Sequence, residues 1–414
     1  MKILWVVNII FPYPSMMIGK KCNPFGGWLL GLFSEIIKNK KISLGIACVY
    51  NGNQLFECED NNVKYFLIPK KSQKKMWFKV INEFKPSLIH LHGTEFEYGY
   101  IIQKLFPKIK TVVSIQGLVS IYADYYVANI KNSDIYKNLT LGCLLKGNIY
   151  KNQNKFIKRG ELEKIILRKS TAVIGRTTWD YACVFGIVGK DKYYFCNESL
   201  RDSFYNSKWD IDKIEKHSIF VSQAGYPIKG FHIILEAANI LKTQYGFSDL
   251  KIYVAGSNII DASTLVKKIK ISSYAKYIKK LIIKYDLQDN IIFTGMLNEK
   301  DMINKLLLSN VFVQASSIEN SPNSLGEAML IGMPCVASNV GGTSNMLIDK
   351  KEGYLYPFGD YSLLAYYISK VFDDSKKSLE LGKNARNHAL VTHDRKVNCN
   401  KMIEIYEEVL KDEK

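Results

Sequence analysis

The sequence predicts an α/β chain of two doubly wound, Rossmann-like domains. Short apolar runs of strand length alternate with amphipathic helical patterns along the whole chain. The runs lack the strict in–out alternation of a half-exposed strand, so both faces of each sheet are covered, as in parallel sheets. Length gives the third indication, since 414 residues suit two domains or three. With 47% hydrophobic and 23% charged residues the composition is ordinary for globular chains, which excludes disordered, collagen-like and disulfide-scaffold classes.

The opening MKILWVVNIIFPYPS has the look of a leader peptide. It has no small-residue cleavage site and runs into Pro12 and Pro14, so Ile3–Ile9 reads as the first strand. Further strands are expected at Ile42–Val49, Tyr65–Ile68, Leu88–Leu91, Thr111–Ile115 and Ala172–Ile174, with helices at Trp28–Lys38 and Lys74–Phe84 among them. The second half repeats the theme at Ser218–Ser222, Lys251–Ala255, Ile291–Thr294, Val311–Gln314 and Cys335–Ala337. Polar residues 208–216 mark the break. The expected division is 1–210, 211–390, and a C-terminal helix within 391–414. Val397, Met402, Ile403, Tyr406, Val409 and Leu410 form the apolar stripe of that helix, which is expected to pack back on the first domain. Open α/β sheets bind ligands beyond the carboxyl ends of their strands, so two such domains facing across a cleft would place a site there.

The net charge is +18, and 51 of the 57 basic residues are lysine. Residues 1–210 carry 31 basic and 16 acidic residues, whereas 211–414 carry 26 and 23. A uniform bias toward Lys codons would not fill one half preferentially. The excess therefore points to an anionic partner, a membrane surface or a nucleic acid. The stretch 131–176, with 11 basic and 3 acidic residues, is the densest footprint, and Lys267–Lys284 reads as a basic amphipathic helix. Neither a nucleic-acid motif nor a run of ~18 apolar residues is present, so membrane contact would be peripheral. The eight cysteines show no zinc or CxxC spacing, and a reduced, cytoplasmic chain is expected.

The most informative segment is 311–342, VFVQASSIENSPNSLGEAMLIGMPCVASNVGG. A strand ends near Ala315, a polar loop follows, and a helix is expected from Ser324. Ser324 and Glu327 have capping-box spacing, which leaves Glu319 unexplained. Amides of Ser324, Leu325 and Gly326 at a helix start would make an anion site, and Gly326 would allow a phosphate close approach. Glu327, one turn in, could accept from ribose hydroxyls, and Glu319 could face a glycosyl group.

Glu319-x7-Glu327, continued by Pro334 and Gly341–Gly342, resembles the donor-site signature of family-4 retaining glycosyltransferases of GT-B fold, and the resemblance covers nearly the whole chain. Gly26–Gly27 in NPFGGW matches the family's N-terminal glycine loop. Lys229–Gly230, in SQAGYPIKGFH with Gly225, matches the element holding a Lys on the donor diphosphate. VAGS (Gly256, Ser257) and FTGML (Met296, Leu297) match the loops around the nucleoside, and Asn323, Ser324 and Leu325 join Gly326 and Glu327 at the donor. The resemblance implies sugar transfer from a nucleotide-sugar donor, a UDP-sugar in our reading, to a glycan or lipid-linked glycan acceptor. It implies no essential metal and no cofactor beyond that co-substrate.

The sequence departs from the family twice. The Arg that often precedes the Lys is missing, with Gln223 and Gly225 there instead, and Gln116 stands where many members have a His. Gln116 can hydrogen-bond a sugar hydroxyl but cannot titrate. His92, in LIHLHGTEFEYG, is read as a site residue and His90 as a hydrogen-bonded core histidine. Lys229, Glu319, Gln116 and His92 are thus the candidate catalytic residues. On the acceptor side, Glu95 and Glu97 either touch acceptor or lie on a solvated loop. Arg176, near Asn197–Glu198 and Arg201, either holds an anionic group or makes a structural salt bridge. Asp210-x-Asp212 lies in the linker and is read as a chance match to a metal motif. Two other readings stay open: a non-catalytic sugar-nucleotide-binding scaffold subunit and a GT-B nucleotide-sugar epimerase.

Overall fold

A computed structural model of the chain describes residues 1–20, 26–143 and 147–411. Cys22 and the Asn-Pro-Phe half of NPFGGW lie outside them. The described residues divide into two compact units. One holds residues 1–120, 157–201 and 393–414, and the other 121–156 and 202–392. The sequence-based division differs in two segments, since 121–156 and 202–210 group with the second unit. The helix Ile149–Lys169 therefore contributes its first turns to one unit and its remainder to the other. Summed over these units the charge is +12 and +6, a weaker asymmetry than the linear division suggested.

The first unit is built on an eight-stranded sheet. Its strands are β1 (Lys2–Val7), β2 (Ser43–Tyr50), β3 (Phe56–Asp60), β4 (Val63–Pro69), β5 (Leu88–His92), β6 (Lys110–Ser114), β7 (Ala172–Gly175) and β8 (Tyr193–Phe195). Their order is β3-β4-β2-β1-β5-β6-β7-β8, and only the β3–β4 pairing is antiparallel. Every expected strand forms, within two residues at each end. The edge strands β3 and β8 were not expected. FECED carries three acidic residues, and YYF is only three residues long, so neither shows the apolar run of a central strand.

The C-terminal helix Arg395–Lys411 closes this unit against the helix Gly27–Ile36, with Met402, Ile405, Tyr406 and Val409 in the shared core. Trp5 Nε1 donates to the Tyr406 hydroxyl at 3.0 Å, and that hydroxyl meets His90 Nδ1 at 2.5 Å. Lys110 Nζ donates to the carbonyls of Val409 and Leu410 at 2.9 and 3.1 Å, a cation placed on the helix's negative end.

The second unit carries a six-stranded, all-parallel sheet of β9 (Ser218–Val221), β10 (Lys251–Ala255), β11 (Ile291–Gly295), β12 (Val311–Gln314), β13 (Cys335–Ser338) and β14 (Tyr354–Tyr356). Their order is β11-β10-β9-β12-β13-β14. Apolar faces of Phe231–Thr243 and Asn323–Ile331 bury against it. The expected single helix Lys267–Lys284 is two helices, Leu265–Lys270 and Ser273–Lys284. Ser272 breaks it, because its hydroxyl accepts from the Ala275 amide and so caps the second helix. None of the described helices is long and apolar enough to cross a membrane. The seven described cysteines are free thiols.

Candidate active site

In an open parallel sheet the loops diverge where the strand order reverses, leaving a crevice at the carboxyl ends. In the second unit that point lies between β9 and β12. The loop after β9 carries Lys229 and the loop after β12 carries Glu319, and the fold brings them together. Lys229 Nζ lies 2.6 Å from Glu319 Oε1. Ser316 Oγ donates to the same oxygen at 2.7 Å. The two charged side chains are 21% and 9% exposed, so water screens them poorly. Burial works against the Lys229 charge, but Glu319, with Tyr226, outweighs it and holds the ammonium above its ordinary range.

Backbone contacts weld the two loops. Ser317 N donates to Ile228 O at 2.7 Å. Gly230 has φ +65° and packs so tightly that a Cβ there would lie 1.6 Å from Ala315 O. At Gly341, with φ +52°, a Cβ would lie 2.0 Å from Glu319 O, which also accepts from Gly342 N at 3.0 Å. These glycines are required by left-handed backbone and close approach together. Ser338 Oγ donates to Ser316 O at 2.6 Å, fixing the serine that holds Glu319.

The helix after Glu319 begins at Asn323 with Pro322 as its cap, so the expected Ser324–Glu327 capping box does not form. Ser324 is the second helical residue, and Ser222 Oγ donates to its hydroxyl at 3.2 Å. Leu325 N and Gly326 N already donate to Pro322 O at 3.0 and 3.2 Å. The helix-start amides that make no such bond are therefore those of Asn323 and Ser324, the start lying one residue earlier than expected. Asn323 Oδ1 is buried without a protein partner, and Glu327 is buried at 8% exposure. Gly256 N donates to Gly295 O at 2.9 Å, which sets Ser257 beside Met296 and Leu297 at the ends of β10 and β11. A cavity of about 670 Å³ borders Gly225, Tyr226, Ser257 and Asn258.

In the first unit the order reverses between β1 and β5. Gly26, at φ 84°, is the N-cap of the helix Gly27–Ile36. A Cβ on Gly27 would lie 2.1 Å from the Arg201 side chain. His92, at the end of β5, is buried beside Trp5 and Trp28 and stacks on His90 at 3.8 Å. Neither ring nitrogen of His92 has a protein partner. Burial, then His90, keep it well below its ordinary range, so it is neutral. His90 is bonded at both nitrogens, to Tyr406 and to Ser114 at 2.7 Å.

Gln116 follows β6, and its Nε2 donates to Glu198 Oε1 at 2.9 Å. Arg176 pairs with the same oxygen and donates through Nη2 to Ile115 O at 2.6 Å. Of the two roles open to Arg176, the structure shows the salt bridge. Glu95 is not on a solvated loop, since its side chain is 15% exposed and lies 3.9 Å from Arg159. Burial pushes Glu95 up to about 7, ahead of the opposing hydrogen bonds and Arg159. Glu97 is exposed at a helix start. Asp210 accepts from the Asp212 amide at 3.2 Å and pairs with Lys213. Among the described residues no three His, Cys, Asp or Glu side chains gather as metal ligands. Sequence reasoning missed Ser316, Ser338 and Ser222, whose roles depend on partners distant in the chain.

Residues 203–388, which lie within the second unit, match the family described as glycosyl transferases group 1. This stretch is a group 1 glycosyltransferase domain. The Lys229–Glu319 pair and the helix from Asn323 all fall inside that domain. YtcC of Bacillus subtilis (strain 168), assigned by name to the glycosyltransferases, is 22% identical over 79% of this chain and 74% of its own length. An Escherichia coli UDP-Gal:alpha-D-GlcNAc-diphosphoundecaprenol alpha-1,3-galactosyltransferase is 28% identical over 34% of this chain and 36% of its own. Anabaena HepE, solved in complex with UDP-glucose, superposes with a TM-score of 0.70 at 14% identity, covering 99% of this chain and 100% of that one. The fold shared with it is the expected GT-B architecture.

Proposed function

We propose that the chain is a retaining, metal-independent glycosyltransferase that moves a sugar from a UDP-sugar to a glycan acceptor, lipid-linked, in surface polysaccharide or glycan biosynthesis at the cytoplasmic face of the membrane. The observation that carries the reading is the Lys229–Glu319 pair at the reversal point of the group 1 domain's sheet. A poorly screened ammonium, on the loop that meets the helix-start loop, suits a diphosphate, and Glu319, anchored by Lys229 and Ser316, suits the hydroxyls of the attached sugar.

The acceptor oxygen forms a bond to the anomeric carbon as the bond from that carbon to the diphosphate oxygen breaks, on the same face of the sugar. The acceptor proton passes to the departing diphosphate. Lys229 and the amides of Asn323 and Ser324 neutralise the charge that develops on the leaving group, which is the main catalytic task of such a site. In the first unit Gln116, oriented by Glu198, and the neutral His92 present hydrogen-bonding groups, with Glu95 on the acceptor side and Arg176 holding Glu198 in place. The test is a thermal-shift panel of nucleotide sugars followed by transfer assays with lipid-linked acceptors. A ligand at ~100 times its dissociation constant stabilises by ~2.7 kcal/mol. No shift with any UDP-sugar refutes the reading; turnover of the donor without acceptor supports an epimerase instead.

A further inference from the structure

We infer that one face of the second unit is a docking surface for anionic phospholipid, formed by residues 131–142 and 265–284. The inference deepens the lipid-linked reading above, and its test does not depend on transfer.

All six residues of the helix Leu265–Lys270 are exposed. Leu265, Val266 and Ile269 are 77%, 58% and 46% exposed, so this helix buries no apolar face in the protein. A helix of six residues does not persist on propensity alone and normally rests on such a face. Residues 131–142 run alongside. Thr140 Oγ1 donates to Ile271 O at 2.7 Å, and Lys276 Nζ donates to Leu139 O at 3.0 Å. Gly142 lies so close that a Cβ would sit 2.3 Å from Ile271 O. This apposition adds exposed Tyr136, Leu139 and Leu141 to the apolar group. The two segments hold nine lysines against one acid, Asp134, and the neighbouring Asp261 is occupied by Lys267 at 2.5 Å.

The chemistry selects the partner. A protein interface depletes lysine from its core, and a nucleic acid would leave the six apolar side chains without a role. A bilayer accepts both, with apolar tips at the acyl boundary, lysine stems extended and ammoniums at the phosphates. A depression of about 550 Å³ beside the patch gathers Lys131, Lys137, Lys280 and Lys284, with Asp134 and Glu236 on its wall. Four ammoniums there suit head-group phosphates. The surface takes up only the first part of the basic stretch 131–176, and it belongs to the unit with the smaller charge excess.

The test is co-sedimentation of the full chain with phosphatidylglycerol–phosphatidylcholine vesicles and with phosphatidylcholine vesicles. We expect binding at least tenfold tighter to the anionic vesicles. The triple variant Lys268→Gln, Lys276→Gln, Lys280→Gln should weaken it by about 100-fold, at roughly fivefold per lysine. The variant Leu265→Ser, Val266→Ser, Ile269→Ser should weaken it at least tenfold, while Lys71→Gln, Lys74→Gln, Lys75→Gln should leave it within twofold. Absence of binding, equal binding to both vesicles, or binding that survives both patch variants overturns the inference. Thermal shift by UDP is read on the same protein. Lost vesicle binding with an intact UDP shift removes the docking surface alone, and the reverse pattern removes the donor reading alone.

Discussion

Replacing Lys229 by Ala tests the site most directly. It deletes one partner of a poorly screened ion pair and leaves Glu319, whose side chain is 9% exposed, with the Ser316 hydroxyl but no countercharge. Breaking a buried pair from one side costs ~3–5 kcal/mol. The remaining hydroxyl contact and the partial exposure of Lys229 place this case at the lower end, ~3 kcal/mol. For a unit of this size that lowers Tm by ~6–12 °C. The double variant Lys229→Ala, Glu319→Ala removes the stranded charge and should recover most of the loss, as a double-mutant cycle by denaturant unfolding would show. The ammonium's contact with a diphosphate is charge-assisted, so UDP affinity should fall ~10–150-fold in both variants. A Lys229→Ala protein with unchanged Tm and unchanged UDP affinity refutes the argument, because the pair would then be neither buried in effect nor near the donor.

Other outcomes follow from the same geometry. Gly230→Ala drives a Cβ into Ala315 O at a left-handed φ and should cost at least ~3 kcal/mol, whereas Gly225→Ala meets nothing within 4 Å and should leave Tm unchanged; equal effects would contradict the packing. Glu95, raised by burial to about 7, holds its proton in the folded state at pH values where the unfolded chain has lost it. Stability is then lost as pH rises from ~4.3 to about 7, and Glu95→Gln should stabilise at pH 8 by up to ~3 kcal/mol but not at pH 4, as paired thermal melts would reveal. Burial lowers His90 to about 3 and His232 to about 4, so their ring-proton NMR signals should not titrate between pH 8 and 5, and a midpoint near 6.5 for either would mean an open core.

Where the sequence was readable, the cause was local. Lys251–Ala255 and Val311–Gln314 form strands with the expected bounds because an apolar run flanked by polar residues has few other places to go. The unreadable parts depend on distant partners. Ser-x-x-Glu at 324–327 has capping-box spacing wherever the helix starts, and the start was set by Pro322, whose fixed φ suits the cap position. Nothing local in 121–156 says that its partners lie beyond residue 201, as Ser317 Oγ donating to Tyr125 O illustrates. Lys229 and Glu319 were both legible as site candidates. Their pairing across ninety residues was not, because no local pattern encodes a contact between two loops.

The helix that closes the first unit has a consequence for synthesis. His90 and Trp5 are buried near the start of the chain, yet the hydroxyl that satisfies both belongs to Tyr406. Strand β8 ends at residue 195, and at ~5–20 residues per second a ribosome needs ~10–40 s to go from there to Tyr406. Through that interval the first sheet exists without its last covering layer, exposing the apolar positions that Met402, Ile405 and Val409 later cover. The residues of the second unit are all made by residue 392, before the helix that closes the first. A nascent chain stalled before residue 393 should bind a hydrophobic dye and recruit chaperones, and addition of residues 393–414 should end both.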